Sequence, residues 1–377
     1  MGSAPDFIVG SKKGLLTLCK KLQTVEASYI VNSTEVFSMR AREGDLIKTK
    51  DNVIFDVKGL VHPPGKVIAF PRFIPSPTGT RRHQRGMYGK VYNLAERFRY
   101  LEENAPDLIV HDPVFDETVC EVPFNKIKKH YDPVGKLAEL RTSKRLGDLE
   151  KKVVQLAENL KEAANIPCSS VGISGSVLAG LYTTKSDIDP VVYGVDACRK
   201  AYAALEDLLN DGDSRFKSYS CEDLQALFDF RSKDTIMSFE DFARVESRKA
   251  FQGKFEGTDY FIRFVKDWSQ IGEEYGDVCY KNCGYSKITA TITDDSEALF
   301  TPCTYRIGNV KVAEGPKLEP IQEIVSFRGR FCEQAKRGEA IIAQGKIEHV
   351  RDRRKEREHY RIILGNKPSD YMVLSRV

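Results

Sequence analysis

The chain is short of the features that would place it in several common classes. No apolar run in its 377 residues is long enough to span a bilayer. The start, MGSAPDFIVGSKKGLL, lacks the charged stretch, apolar core and cleavage site of a secretory leader. Met1-Gly2-Ser3 opens like a myristoylation signal, but Asp6 stands where that signal needs Ser or Thr. The nine cysteines are odd in number and scattered without framework spacing, which argues for reduced thiols and a cytoplasmic protein. Cys279 and Cys283 have no second pair to complete a zinc site, and the six histidines show no ligand spacing. A net charge of only +4 excludes a generic polycation.

What is present suggests a globular protein of two or three domains, with 41% hydrophobic and 30% charged residues. The region 1–140 reads as an N-terminal α+β domain. It has a helical stretch at Gly14–Val25, a three-stranded meander over Asp45–Thr49, Val53–Val61 and Lys66–Ile74, and a helix at Tyr88–Glu102. The loop after the meander carries a basic cluster with Arg81, Arg82 and Arg85. From Arg141 to about Ala164, Leu146, Leu149, Val153, Leu156 and Leu160 predict one long amphipathic helix. It opens an α/β domain over 141–283, with a strand expected at Thr258–Val265. Short strands with Gly and Pro turns suggest that 284–377 is a β-rich domain, a small barrel or a sandwich. A second basic cluster, with Arg353 and Arg354, lies there. Such clusters suit a phosphate backbone.

The most informative stretch is Gly175–Gly194, GSVLAGLYTTKSDIDPVVYG. A Gly-Ser turn follows the apolar Val171-Gly172-Ile173 and leads into a short helical segment. Free N–H groups at such a turn, with the positive end of a helix, suit a phosphate. Asp187 and Asp189 follow, one residue apart, so extended backbone projects them to the same face. Two close carboxylates repel unless cations neutralise them, and Mg²⁺ prefers such ligands, completed by water and phosphates. The combination points to phosphoryl or nucleotidyl transfer.

This stretch resembles the signature of the DNA polymerase β-like nucleotidyltransferase superfamily: an apolar residue, Gly, Ser or Gly, about ten residues, then Asp-x-Asp between apolar neighbours. The whole chain also resembles archaeal proteins predicted to be nucleotidyltransferases. The resemblance covers about Arg141–Asp267 and implies an α+β multidomain chain whose central polymerase β-like α/β domain is flanked by the two others. It further implies two Mg²⁺ ions held by Asp187, Asp189 and a third carboxylate, with an NTP held by Gly175 and Ser176. Asp259 is the choice for the third carboxylate and Asp267 the runner-up. Lys249, Arg248 and Arg263 are the candidates for triphosphate contacts. The extra basic regions favour RNA as acceptor, through a 3′-hydroxyl and with tRNA among the candidates. Transfer to a protein or small molecule, and a non-catalytic RNA- or nucleotide-binding regulator, are the alternatives.

Overall fold

A hydrogen-bonded N-terminal sheet begins where the described chain does. The computed structural model describes residues 39–83, 86–232 and 236–375; the expected helix at Gly14–Val25 and the side chain of Arg85 lie outside them. The sheet comprises β1 (Leu46–Thr49), β2 (Ile54–Val57), β3 (Lys66–Pro75), β4 (Arg81–His83) and β5 (Gly86–Lys90). After helix α1 (Leu94–Asn104) come β6 (Ile109–Asp112), β7 (Glu117–Pro123) and β8 (Ile127–Tyr131). The order is β4-β5-β3-β2-β1-β8, with β7 on β3 and β6 on β7. The expected meander is present as β1, β2 and β3, paired antiparallel. The helix expected from Tyr88 starts later, because Gly86–Lys90 pairs with β3 and β4. Asn93 then caps α1, its Oδ1 accepting the Glu96 N–H at 2.7 Å.

The expected long helix is two helices. Asp132 accepts the N–H groups of Val134 and Gly135 to cap α2 (Pro133–Thr142). A new start at Gly147, whose N–H is accepted by Glu150, opens α3 (Asp148–Ala164). Val153, Leu156, Ala157 and Leu160 share the buried side of α3, at helical spacing. The central region continues with β9 (Val171–Ile173), α4 (Gly175–Leu178), β10 (Pro190–Tyr193) and α5 (Val195–Asn210). After β11 (Phe216–Lys217) come α6 (Cys221–Arg231), α7 (Phe239–Glu246), β12 (Gln252–Phe255), β13 (Thr258–Phe261) and β14 (Arg263–Val265). Strand β10 sits between antiparallel β9 and parallel β14. The strand expected over Thr258–Val265 is broken at Ile262, whose N–H bonds to Phe251 O rather than to a sheet neighbour. Its first half joins β11 and β12, and its second half joins β10.

The last region holds β15 (Val278–Glu297), β16 (Cys303–Glu314), β17 (Ile321–Ser326), β18 (Ala340–Asp352), β19 (Arg357–Leu364) and β20 (Tyr371–Leu374). Its order is β15-β16-β17-β19-β18-β20, and β15 also pairs with β18, which makes the sheet partly ring-like. The protein is thus a mixed α/β chain with several sheets. One apolar cluster runs from Leu137 to Leu374 through the central helices and into this last sheet, and a second lies beneath the N-terminal sheet. Among the described residues, no helix is long and apolar enough to cross a membrane. The eight described cysteines are all free thiols.

Lys249 shows how burial redirects a charge. Its ammonium is fully buried and donates to Glu246 Oε1 at 2.6 Å, Arg330 O at 2.7 Å and Gln334 Oε1 at 2.9 Å. Glu246 also receives Arg231 at 2.6 Å. This cluster joins the end of α7 to the 3₁₀ turn at Gly329–Phe331, so Lys249 is a structural cation and not a triphosphate contact. Removing one member leaves a buried carboxylate short of a partner. Lys249→Ala is expected to lower the urea unfolding free energy by about 3 kcal/mol; a change below about 1 kcal/mol would contradict the structural role.

Candidate functional site

The site is built where the chain turns out of β9. Ser174 donates its Oγ to Gly44 O at 2.6 Å and its N–H to Asp189 O at 2.8 Å. Gly175 follows with φ of +61°, and a Cβ there would lie 1.8 Å from Asp189 Oδ2. Both the left-handed backbone and the carboxylate require glycine. Ser176 comes next, 1% exposed, and its Oγ has no hydrogen-bond partner in the protein. A buried hydroxyl without a partner carries a desolvation cost that a ligand oxygen would relieve. Helix α4 is a single turn, too short for a substantial helix dipole, so the polar groups offered here are the turn's own.

The carboxylates lie just before β10. Ile188 bridges to Tyr260 in parallel, and Val191 pairs with Arg263. Register partners in a parallel ladder point to the same side, so Asp187, Asp189, Asp259 and Phe261 share one face. The Ile188 N–H bonds to Asp259 O at 2.9 Å, and the Phe261 N–H to Ile188 O at 3.0 Å. Pro190 takes the first position of β10, where its missing donor is tolerated. Asp187 and Asp189 are both half-buried, while Asp259 is exposed. Among the described residues, no three carboxylate, imidazole or thiol groups converge closely enough to hold a metal ion. The structure therefore brings Asp187 and Asp189 together and sets Asp259 beside them without completing a three-carboxylate sphere. Asp267, the runner-up, caps the turn at Trp268 and accepts Arg42 Nη1 at 3.1 Å.

Burial, and then the charge of Asp187, push the Asp189 carboxyl up to about 6, against the pull of Lys90, Arg263 and Arg72. Partial desolvation by the neighbouring protein raises the Asp259 carboxyl, which Lys254 pulls back and which Asp223 and Asp187 raise further. The Tyr219 hydroxyl is raised by burial and by the charges of Asp259 and Asp187, which places it at the same site. The cations around Asp189 come largely from the N-terminal sheet. Lys90 ends β5 and Arg72 lies in β3, about one hundred residues upstream; the sequence set Lys90 beside the first basic cluster and Arg72 in an expected strand, but assigned neither to the carboxylates. A lone cation in the apolar run VIAFPRFI was the available signal.

Several expected contacts belong elsewhere. Arg81 is buried and donates to Leu181 O at 2.7 Å and Ser186 Oγ at 3.3 Å, so it braces the motif loop and does not face nucleic acid. Arg248 forms a two-pronged pair with Glu339 at 2.6 and 3.2 Å. Arg263 reaches Glu43 at 3.3 Å and Asp56 at 3.9 Å, although Asp189 still feels its charge. Arg82 and Arg353 are exposed, and Arg354 is exposed while pairing with Asp277 at 3.3 Å.

The raised Asp189 carboxyl has a measurable consequence. Its folded value of about 6 exceeds the ordinary 3.8, so between these values the folded chain binds the proton more tightly. That contribution to stability is present below about pH 4 and is lost as pH rises through about 6. Without divalent cations, Asp189→Asn is expected to melt higher than wild type near pH 8 and to match it near pH 4. A lower melting temperature for the variant near pH 8 would contradict this electrostatic assignment.

No family model matches the chain, and no solved structure matches it. It is 32% identical over 336 residues to an uncharacterized protein of Methanocaldococcus jannaschii, MJ1086, in an alignment covering 87% of this chain and 96% of that protein. At that identity and coverage, the chain belongs to the same family as the archaeal protein.

Proposed function

We propose that the protein is a Mg²⁺-dependent nucleotidyltransferase of the polymerase β-like type, which moves NMP from an NTP to a hydroxyl acceptor, RNA being favoured. The observation that carries this reading is the close seating of Gly175 on the Asp189 carboxylate, with the Ser176 hydroxyl buried and unpaired beside it. The donor set fits a hard cation: two carboxylates on one face, one of them raised by burial and then by the other's charge. Asp187 and Asp189 would hold the metal, and Asp259 is the candidate third ligand. Bound there, Mg²⁺ supplies Lewis-acid stabilisation of the charge that develops on the transferred phosphate and on the attacking and leaving oxygens.

The chain's own groups do the rest. Ser176 Oγ and the Gly175 N–H hold phosphate oxygens of the leaving group. Lys90 and Arg72 neutralise charge next to Asp189, the role first expected of Lys249. Within this reading the region around β9 and β10 is the polymerase β-like domain, the ring-like C-terminal sheet is a small barrel, and the free thiols fit a cytoplasmic enzyme. The exposure of Asp259 favours one second reading, a nucleotide-binding module that does not transfer.

The test is incorporation of each α-labelled NTP into total RNA with Mg²⁺. Wild type is expected to transfer label, and Asp187→Ala/Asp189→Ala to lose it by at least about a thousandfold. NTP binding by both proteins without transfer by either would favour the binding module, and equal transfer by both would overturn the site. Asp259→Asn is expected to reduce transfer while leaving the melting temperature within about 2 °C.

A further inference from the structure

A cleft of about 1710 Å³ is bounded by the N-terminal sheet, the end of α6 and the C-terminal sheet, and reaches Phe261 and Arg263 on the strands paired with the segment that carries Asp187 and Asp189. It exceeds the few hundred Å³ that encloses an ordinary small ligand. Thirteen lysines and arginines line it against seven acids, together with ten aromatic rings. Most of these cations are already committed: Arg361 to Glu348, Lys346 to Glu117 and Glu348, and Lys58 to Glu43. Arg72 and Arg97 are different. No carboxylate among the described residues forms an ion pair with either one; Arg72 donates only to Val91 O at 3.3 Å, and the buried Arg97 Nε has no partner at all. Burial and the like charges of Arg72 and Arg328 hold the Arg97 guanidinium down to about 10, against the attraction of Asp56 and Glu43. Asp56 and Glu43 offset part of this like charge, but neither forms an ion pair with Arg72 or Arg97, so both guanidiniums open on the cleft without a paired carboxylate.

The aromatic side of the cleft is equally specific. Tyr92 and Phe230 are 44% and 55% exposed, yet they meet edge to face with centroids 5.8 Å apart. Arg72 stands 5.4 Å and Lys90 4.8 Å from the Tyr92 ring. Lys90 and Arg72 are also the cations that Asp189 feels, so the stacking surface and the carboxylates share them. Phe261, the register neighbour of Asp189, lines the cleft as well.

We propose that this cleft holds a single-stranded polynucleotide, with its phosphates on Arg72 and Arg97 and a base stacked on Tyr92 and Phe230. The proposal rests on the nucleotidyltransferase reading for its catalytic meaning: the strand is the acceptor, and its end reaches Asp187 and Asp189. Fixed cations and exposed rings bind single strands through backbone charge and base faces, and such sites span several nucleotides. The binding surface is therefore the cleft and not the exposed Arg82 or Arg353.

The experiment is fluorescence anisotropy of labelled strands of about ten nucleotides, RNA, DNA and RNA duplex, with the full chain and without NTP or divalent ions. Tyr92→Ala and Phe230→Ala alter exposed rings and are expected to weaken RNA binding by about tenfold each. Arg72→Gln and Arg97→Gln are expected to lower the slope of log affinity against log salt by about 0.7 each. Tight binding of RNA alone, or of RNA and DNA alike, supports the cleft. Duplex binding as tight as single-strand binding overturns it, and so does wild-type affinity in all four cleft variants. A chain that binds RNA through these residues yet transfers no nucleotide overturns the proposed activity while upholding the cleft.

Discussion

The docking of the N-terminal sheet onto the strand that follows Asp189 is the contact on which the site depends. Gly44 lies so close to Val191 and Tyr193 that a Cβ there would come within 3.0 Å of the tyrosine hydroxyl. Its carbonyl takes the Ser174 hydroxyl, which fixes the entry to the Gly175 turn. Leu46, Ile54, Phe73 and Tyr88 of the same sheet pack on Leu178, Ala179 and Leu181, the residues just past that turn. Arg81 closes the arrangement by bonding the carbonyl of Leu181. A motif of few residues is thereby held by an element about one hundred positions away.

That docking also sets the electrostatics. It removes water from one side of Asp189, which raises the cost of its charge, and it supplies Lys90 and Arg72 to offset that cost. The same sheet contributes Glu43 and Asp56, which engage Arg263 and Lys58. The front face of β10 is therefore divided: an acid pair at its start, an ion-pair network further along, and beyond it a cleft whose arginines Arg72 and Arg97 are not in ion pairs with carboxylates. The charge pattern changes sign within a few residues of strand.

The local part of this site was legible in the sequence, and the long-range part was not. Gly175, Ser176, Asp187 and Asp189 carry their meaning in spacing, because a turn and an alternating backbone act over a few residues. The register that places Asp259 on the same face follows from one strand, which the sequence did suggest, although the break at Ile262 leaves no mark in the strand-like run TDYFIRFV. Lys249 looked like any cation near a motif, and only packing shows it enclosed by Glu246 and Gln334. Arg81 sat in an evident basic cluster and proved to be a brace. Arg72 fell in an expected strand and Lys90 and Arg97 in an expected helix, but that they come near Asp189 or the cleft follows only from how the sheet docks. Likewise the predicted helix from Arg141 gave way to two helices because Gly147 and Glu150 form a new start, a local signal outweighed in the reading by the leucine periodicity.

The most direct test of the central claim is a crystal structure with Mn²⁺ and a non-hydrolysable NTP. The account predicts anomalous density between Asp187 and Asp189, with a phosphate oxygen within hydrogen-bond distance of Ser176 Oγ and the Gly175 N–H. Metal and nucleotide bound away from these four residues, with the Ser176 hydroxyl still unpaired, would contradict it.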